Sequence, residues 1–436
     1  MRTFDPRPED RETIVIPSFE QRSADAPIVV DWVARLAALA TLFLFYIAAG
    51  AHGFVDLIVF GADEGGVVMG IGLLSRTVWP VAYVLLFGLM IYSWPLMLHE
   101  LALNWWALLF PLVALLSTLW SLDASVTANA AVRLLVSAMF AVYIGAVFPP
   151  YQIARLLVLV LLPSVALSVV VGLAGLDFTI MHDGTIRGLF WHKNQFGNRS
   201  LFLLAAALTL LAPGERRWLA ISGIVAALLG LAMARSSTSI LAAVAILLGP
   251  FFVVLRGEPE KIALRLAIAG CLAVAVVTVG LIVGIDPIDA TLGLLGKDAT
   301  LTGRVMLWDA AMSQIAERPL LGAGFAAFWA TAIDWQTYLV MNVMGNIGHF
   351  HNTFLEVGVQ LGFLGLAAAI FTALVYSYWA IAYLRFGPSR SALWPTLLGA
   401  AAFVPTFAEY ELFLQHNLTH ILVVAVIVAA RRELGR

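Results

Sequence analysis

The sequence predicts an all-α membrane protein of many spans, and three observations carry that expectation. Hydrophobic residues make up 61% of the 436-residue chain and charged residues only 12%, where soluble domains carry about 25% charge. The apolar residues fall into runs of roughly the 20 residues that a helix needs to cross a bilayer. Lysines and arginines in the short connections between runs gather on one face once the runs are threaded alternately.

Residues 1–30 are polar, with Pro, Asp, Glu and Arg interspersed. They lack the apolar stretch and small-residue cleavage site of a signal peptide. A disordered cytoplasmic tail is expected, followed by an uncleaved first span. About twelve apolar runs follow, near 32–52, 75–94, 102–120, 128–147, 153–175, 196–212, 217–233, 237–256, 262–284, 353–383, 392–408 and 412–430. The expected organisation is a bundle of about nine spans over 31–284, a large loop over 285–352, further spans over 353–430 and a cytoplasmic tail over 431–436. The segment 53–75, with Asp56, Asp63 and Glu64, reads either as a loop or as a half-inserted helix. The one cysteine, Cys271, lies in an apolar run, so an internal disulfide and a cysteine-based metal site are both excluded.

With the N-terminal tail inside, Arg216 and Arg217, Arg256, Lys261 and Arg265, Arg385 and Arg390, and the C-terminal arginines all fall on the cytoplasmic face. Trp105, Trp106 and Trp191 fall near expected interfaces. The opposite face carries two long loops, about 176–195 and 285–352, which also hold cations: Arg187, Lys193, Lys297, Arg304 and Arg318. Arg133, Arg199 and Arg235 lie at outer helix ends. Cations on the disfavoured side call for a compensating anion, and a polyanionic substrate offers one.

Four segments concentrate polar chemistry on that face. Gly188–Arg199 packs His192, Lys193, Asn194, Gln195 and Arg199 around the start of a span. Free N–H groups and nearby cations there favour an anion. Arg235 to Ser239 forms an outer turn whose Ser and Thr residues suit helix capping. Thr302-Gly-Arg304 opens an amphipathic helix with apolar positions Val305, Trp308, Met312 and Ile315. Pro319 ends that helix, and Gly322-Ala-Gly324 reads as a flexible turn. Gly348–Glu356 offers His349, His351, Asn352 and Glu356, with His351 suited to acid–base work. No carboxylate or thiol at convincing ligand spacing accompanies the two histidines, so neither a metal nor a cofactor is expected. A weaker fifth feature is Glu409-Tyr-Glu411 before the last span, with His416 and Asn417 within it.

Taken together these segments resemble the O-antigen ligase and polymerase superfamily of bacterial envelope glycosyltransferases. The residues that carry the resemblance are Phe190-Trp-His-Lys-Asn-Gln-Phe-Gly197, Thr302-Gly-Arg304 with Trp308, Pro319-Leu-Leu-Gly-Ala-Gly324, and His351-Asn-Thr-Phe-Leu-Glu356 with Leu361-Gly362. The His-Lys-Asn form leans toward exopolysaccharide polymerases. The resemblance implies a membrane-embedded, GT-C-type, metal-independent and inverting enzyme of the inner membrane. It would work at the periplasmic face on glycans linked to undecaprenyl diphosphate. Membrane lipid, a chain-length regulator and export machinery are the implied partners, and no nucleic acid is expected. By position, Arg304 matches the arginine of the large loop and His351 the histidine that closes it. A second arginine position matches Arg235 or, two residues on, Ser237.

On this reading His351 is the general base, with Glu356 or Glu411 in reserve, and Arg304 stabilises the diphosphate charge. Arg187, His192, Lys193, Asn194, Arg199, Arg235, Ser237 and Asn352 bind diphosphate or glycan. Two alternatives stand beside the polymerase: a ligase that moves glycan onto a lipid or other acceptor, and a flippase for lipid-linked glycan. Transporters place charge near the bilayer midplane and show internal repeats, whereas the polar residues here concentrate in outer loops.

Overall fold

The computed structural model of the protein describes residues 28–60, 73–181, 184–211, 217–254, 304–331 and 348–435. Outside them lie the expected tail up to residue 27, the run 262–284 with Cys271, Asp63 and Glu64, and the loop stretches 285–303 and 332–347 with Lys297, Thr302 and Gly303. Among the described residues the chain is helical. The described residues form no strand beyond a single bridge between Ile180 and Ile186.

The helices follow the apolar runs in order. They are α1 (Ile28–Ala49), α2 (Gly53–Phe60), α3 (Leu73–Tyr92), α4 (Trp94–Leu103), α5 (Trp106–Leu116), α6 (Ala124–Val147), α7 (Pro150–Leu173), α8 (Lys193–Thr209), α9 (Arg217–Ala234) and α10 (Ser237–Val254). Beyond residue 303 come α11 (Arg304–Glu317), the single turn α12 (Phe328–Thr331), α13 (Thr353–Phe386), α14 (Trp394–Phe403) and α15 (Leu418–Glu433). By length and composition, five of the described helices can cross a membrane: α1, α6, α7, α9 and α13. The count becomes six if α3 and α4, which meet at a 92° bend, form one broken span. Other apolar helices, such as α14, are shorter. The expected tail at 431–436 begins within α15, which continues through Arg431 and Arg432. The start of the last run is corrected. Residues 412–417 precede α15, and His416 lies in the connection rather than in the helix.

Two helices form the axis of the bundle. From Leu418 to Ala430 every residue of α15 is buried, and so is α8 from Phe196 to Ala207. Small residues let neighbours approach the axis, as lipid-buried helices require. A Cβ at Gly145 of α6 would meet the carbonyl oxygen of Ala425, and one at Gly223 of α9 would sit 2.9 Å from the Cβ of Ala207. The flanking helices turn large apolar side chains outward, among them Val84, Ile91, Leu167, Val170, Ile370, Leu374 and Ile381.

Capping fixes where the axial and loop-bearing helices begin. Asp123 Oδ1 accepts from the N–H groups of Ser125 and Val126 at the start of α6. Those bonds to the carboxylate hold its pKa below the ordinary value. Asn352 and Asn417 cap α13 and α15 in the same way.

The 34-residue helix α13 is broken at Gly362, whose φ of 59° is left-handed. The turn Pro319–Gly324 docks into this break. Ala323 N–H donates to Val359 O (2.9 Å), Gly324 N–H to Gln360 O (2.8 Å) and Phe363 N–H to Pro319 O (2.8 Å). The carbonyls and amides that the break frees are thereby satisfied. A Cβ at Gly322 would lie 2.5 Å from the backbone of Gln360. The expected flexible turn is therefore a close backbone contact, made by glycines because no side chain fits.

Candidate active site

The starts of α8, α13 and α15 meet at one end of the bundle, and the connection 408–417 runs between them. His192 caps α8, its Nδ1 accepting from Asn194 N–H at 3.2 Å. That leaves the Asn194 side chain to reach across, and its Nδ2 donates to Glu409 Oε1 at 2.6 Å. The other oxygen of Glu409, Oε2, lies 3.2 Å from His351 Nδ1. A chain Asn194–Glu409–His351 thus joins three segments that are far apart in sequence. The side chain of His351 remains 24% exposed and that of Glu409 11%, so the end of this chain faces the aqueous side of the cluster.

His351 itself has a left-handed backbone, φ 50°, a conformation that non-glycine residues rarely take and that collects at functional sites. Its surroundings enforce it. Next in sequence, Asn352 caps α13, and its Nδ2 donates to Phe407 O (3.1 Å). The Thr353 hydroxyl donates to Glu409 O (2.9 Å). On the other side, His351 N–H donates to His349 Nδ1 at 3.2 Å.

Glu356 was expected as a reserve base. Donors enclose it, within electrostatic reach of His351. It is 1% exposed, with Oε1 accepting from Trp329 Nε1 and Gln360 Nε2 (both 2.7 Å) and Oε2 from Phe350 N–H (2.8 Å). Three donors tie this carboxylate into the loop root, where it braces the residues that precede His351. Trp308 of α11 adds a second brace by donating to Phe350 O at 3.2 Å.

Arg199 lies in the second turn of α8 and is 1% exposed. Its Nε donates to Ala49 O (3.0 Å), and one terminal nitrogen meets Asn198 Oδ1 and Glu411 Oε2, the latter at 3.4 Å. Glu411 also accepts from Asn417 Nδ2 (3.2 Å) and Thr419 Oγ1 (3.4 Å). Nδ2 of Asn198 is buried without a hydrogen-bond partner among the described residues. Beside this network His416 stacks on Trp79 with ring centroids 3.6 Å apart and meets the hydroxyl of Tyr83. Burial, and then the charge of Arg133, push the His416 pKa down to about 3.

The remaining expected residues are placed less centrally. Arg187 is buried at 3% exposure, with Nε donating to Phe178 O at 2.9 Å; it braces its own loop. Arg235 is exposed in the turn between α9 and α10, with φ 47°. That turn packs on α8, where a Cβ at Gly197 would lie 2.6 Å from Ser239 Oγ. Arg304 and Ser237 begin α11 and α10; their side chains are outside the described set. The buried stripe of α11 keeps Trp308 and Ile315 of the expected positions, both partly buried against the loop core, and loses the other two. Val305 and Met312 are exposed, at 43% and 58%, while Leu307, Ala310 and Ala311 are buried. The alanines allow close packing on α13 that longer side chains would prevent.

Glu409 is the residue that sequence reasoning passed over as a site member. The Glu409-Tyr-Glu411 pair was visible, but its partners lie 58 and 212 residues away, at His351 and Arg199. The two histidines have no carboxylate at ligand spacing in the sequence, and the fold brings one to them. Ligand atoms of His349, His351 and Glu409 all lie within 4.8 Å of one another.

Residues 222–370 match the family model described as O-Antigen ligase. The chain is similar to the O-antigen ligase and polymerase superfamily. The ligase-family match holds Arg235, Ser237, Arg304, His351, Asn352 and Glu356, while Asn194, Arg199, Glu409 and Glu411 fall outside it. A curated relative, the "Exopolysaccharide production protein ExoQ" of Rhizobium meliloti (strain 1021), is 27% identical over 394 residues, covering 82% of this chain and 86% of the relative. The ligase-family resemblance expected from the motifs is thus supported by both comparisons. Together with the apolar helices, they support a multi-pass membrane protein in ligase- or polymerase-like glycan processing.

Proposed function

We propose that this protein is a glycosyltransferase that polymerises undecaprenyl-diphosphate-linked repeat units into an exopolysaccharide at the periplasmic face of the inner membrane. The observation that carries the reading is the Asn194–Glu409–His351 chain. With Nδ1–H donated to Glu409, the imidazole keeps its lone pair on Nε2, the arrangement a general base needs.

In the reaction His351 Nε2 takes the proton of an acceptor sugar hydroxyl as that oxygen attacks the anomeric carbon. The bond from that carbon to the diphosphate oxygen breaks, its electron pair leaves on the diphosphate, and the anomeric centre inverts. Arg304, at the first turn of α11, meets the growing negative charge with paired N–H groups. Stabilising such charge is a large catalytic term. Lys193 and the α8 start add positive potential. Glu409 and Glu356 are positioning residues, one for the ring and one for the loop root. The loop over 285–352 is the catalytic loop, and the twelve-span bundle carries the lipid tail in a groove between helices. The relative is named for exopolysaccharide production, which supports a role in making a surface polysaccharide.

The test is purified protein in lipid with undecaprenyl-diphosphate-linked repeat units, product length being followed by gel. Wild type yields a ladder that a chelator leaves intact. His351→Ala lowers the rate by roughly 10²-fold or more and Arg304→Ala by about 10²–10³-fold. Transfer only when a separate glycolipid acceptor is supplied would replace the polymerase with the ligase. Substrate binding without any new glycosidic bond would overturn both.

A further inference from the structure

We infer that His349, His351 and Glu409 form a binding site for a divalent transition metal of the zinc class, and that the bound ion switches the enzyme off. The three residues supply two imidazoles and a carboxylate, a donor set that suits zinc and leaves further coordination positions open. Their ligand atoms lie within 4.8 Å of one another, and ligands around a tetrahedral zinc stand roughly 3.4 Å apart, from bonds of about 2.0–2.1 Å. The 3.2 Å between His351 Nδ1 and Glu409 Oε2 already equals such an edge. His349 Nδ1, which accepts from His351 N–H, holds that ring's lone pair, and the lone pair turns to the ion on binding. The ring centroids of the two histidines are 4.1 Å apart, and both side chains are partly open to water. Asn194 holds Glu409 through its other oxygen, the kind of outer hydrogen bond that orients a metal-binding carboxylate.

Inhibition rests on the reading of His351 as base. An ion between Nδ1 and Glu409 takes the place of the Nδ1 proton. The neutral ring then carries its one proton on Nε2, so the lone pair that would accept the sugar hydroxyl proton is gone. No net proton is released by this tautomer exchange, and no bond of the substrate is touched. The metal is an inhibitor here and not a participant in glycosyl transfer.

Cobalt(II) is the probe, because a site of nitrogen and oxygen ligands gives it visible absorption independent of any enzymatic assay. Titration of the full-length protein in lipid nanodiscs should saturate at one cobalt per chain, with zinc displacing it. His349→Gln should weaken binding by more than the roughly tenfold that losing even an outer partner of a ligand costs. In the glycan assay zinc should suppress wild-type product formation over the same concentration range. His349→Gln, whatever its metal-free rate, should lose that sensitivity. Absence of saturable cobalt absorption in wild type, or zinc activation in place of inhibition, would overturn the inference. Cobalt binding at one per chain in a protein that forms no glycosidic bond would keep the metal site and discard the catalytic reading, so the two failures are distinguishable.

Discussion

The two ends of the bundle each bury an arginine–glutamate pair, and they do so differently. At the end formed by the α15 C-terminus, Arg431 meets Glu100 at 2.6 Å and Asn104 Oδ1 at 3.0 Å, while Asn104 Nδ2 donates back to Glu100. The Arg431 and Glu100 side chains are 6% and 4% exposed. Each partner also meets Asn104, so the three make a closed clamp. At the other end, Arg199 reaches Glu411 only at 3.4 Å, the Glu411 side chain is 14% exposed, and Asn198 Nδ2 has no partner among the described residues. Beside it the His351–Glu409 contact opens to water. Closed networks hold helices in register; a looser one has hydrogen bonds left to give to a substrate. Burial of charge alone does not separate the two cases, whereas the closeness of the arginine–glutamate contact does, at 2.6 Å against 3.4 Å.

The sharpest way to break this contrast is at the closed end. Arg431→Ala leaves Glu100 buried without its cation, which should cost about 3–5 kcal/mol. Thermal unfolding in detergent would register it, with activity per folded molecule unchanged. A loss of activity without loss of stability would contradict the structural role. At the open end, Glu409→Gln keeps the shape but removes the charge that orients the His351 ring. It should lower kcat by roughly 10–100-fold with KM nearly unchanged, and Glu409→Asp should recover part of it. A change confined to the unfolding midpoint would make Glu409 a brace like Glu356. The smallest effect belongs to His416. Its pKa is depressed to about 3 from an ordinary value near 6.5. The folded state therefore resists a proton that the unfolded chain accepts. This contribution to stability is complete above about pH 6.5 and declines as pH falls from there toward 3. His416→Gln should flatten that part of the stability profile; an unchanged slope would mean that another group titrates.

The helices that carry this contrast were legible in the sequence, but nothing there singled out Glu100 or Asn104 as partners of Arg431. Apolar runs located the helices because lipid burial leaves little choice of side chain, whereas the caps Asn352 and Asn417 were read as a binding residue and a span residue. Motif order also led to His351, Asn194 and Arg199. Distance in sequence hid the rest. Nothing local links Glu409 to His351, and nothing in the spacing of Glu356 says that Trp329, Gln360 and Phe350 will turn it inward. The buried face of α11 was partly misjudged because size, and not only apolarity, decides what fits against α13. Gly322 and Gly362 were visible as glycines, but the reason for them is a contact between two backbones.

That contact makes the two glycines a matched pair. Gly322 sits against the backbone of Gln360 and Leu361, and Gly362 against that of Leu320 and Leu321, so each supplies the clearance the other needs. The turn after α11 and the break in α13 are interlocked like a tenon in its mortise. Any lineage that adds a side chain to one must reshape the other, and His351, eleven residues ahead of the joint, inherits its position from that fit.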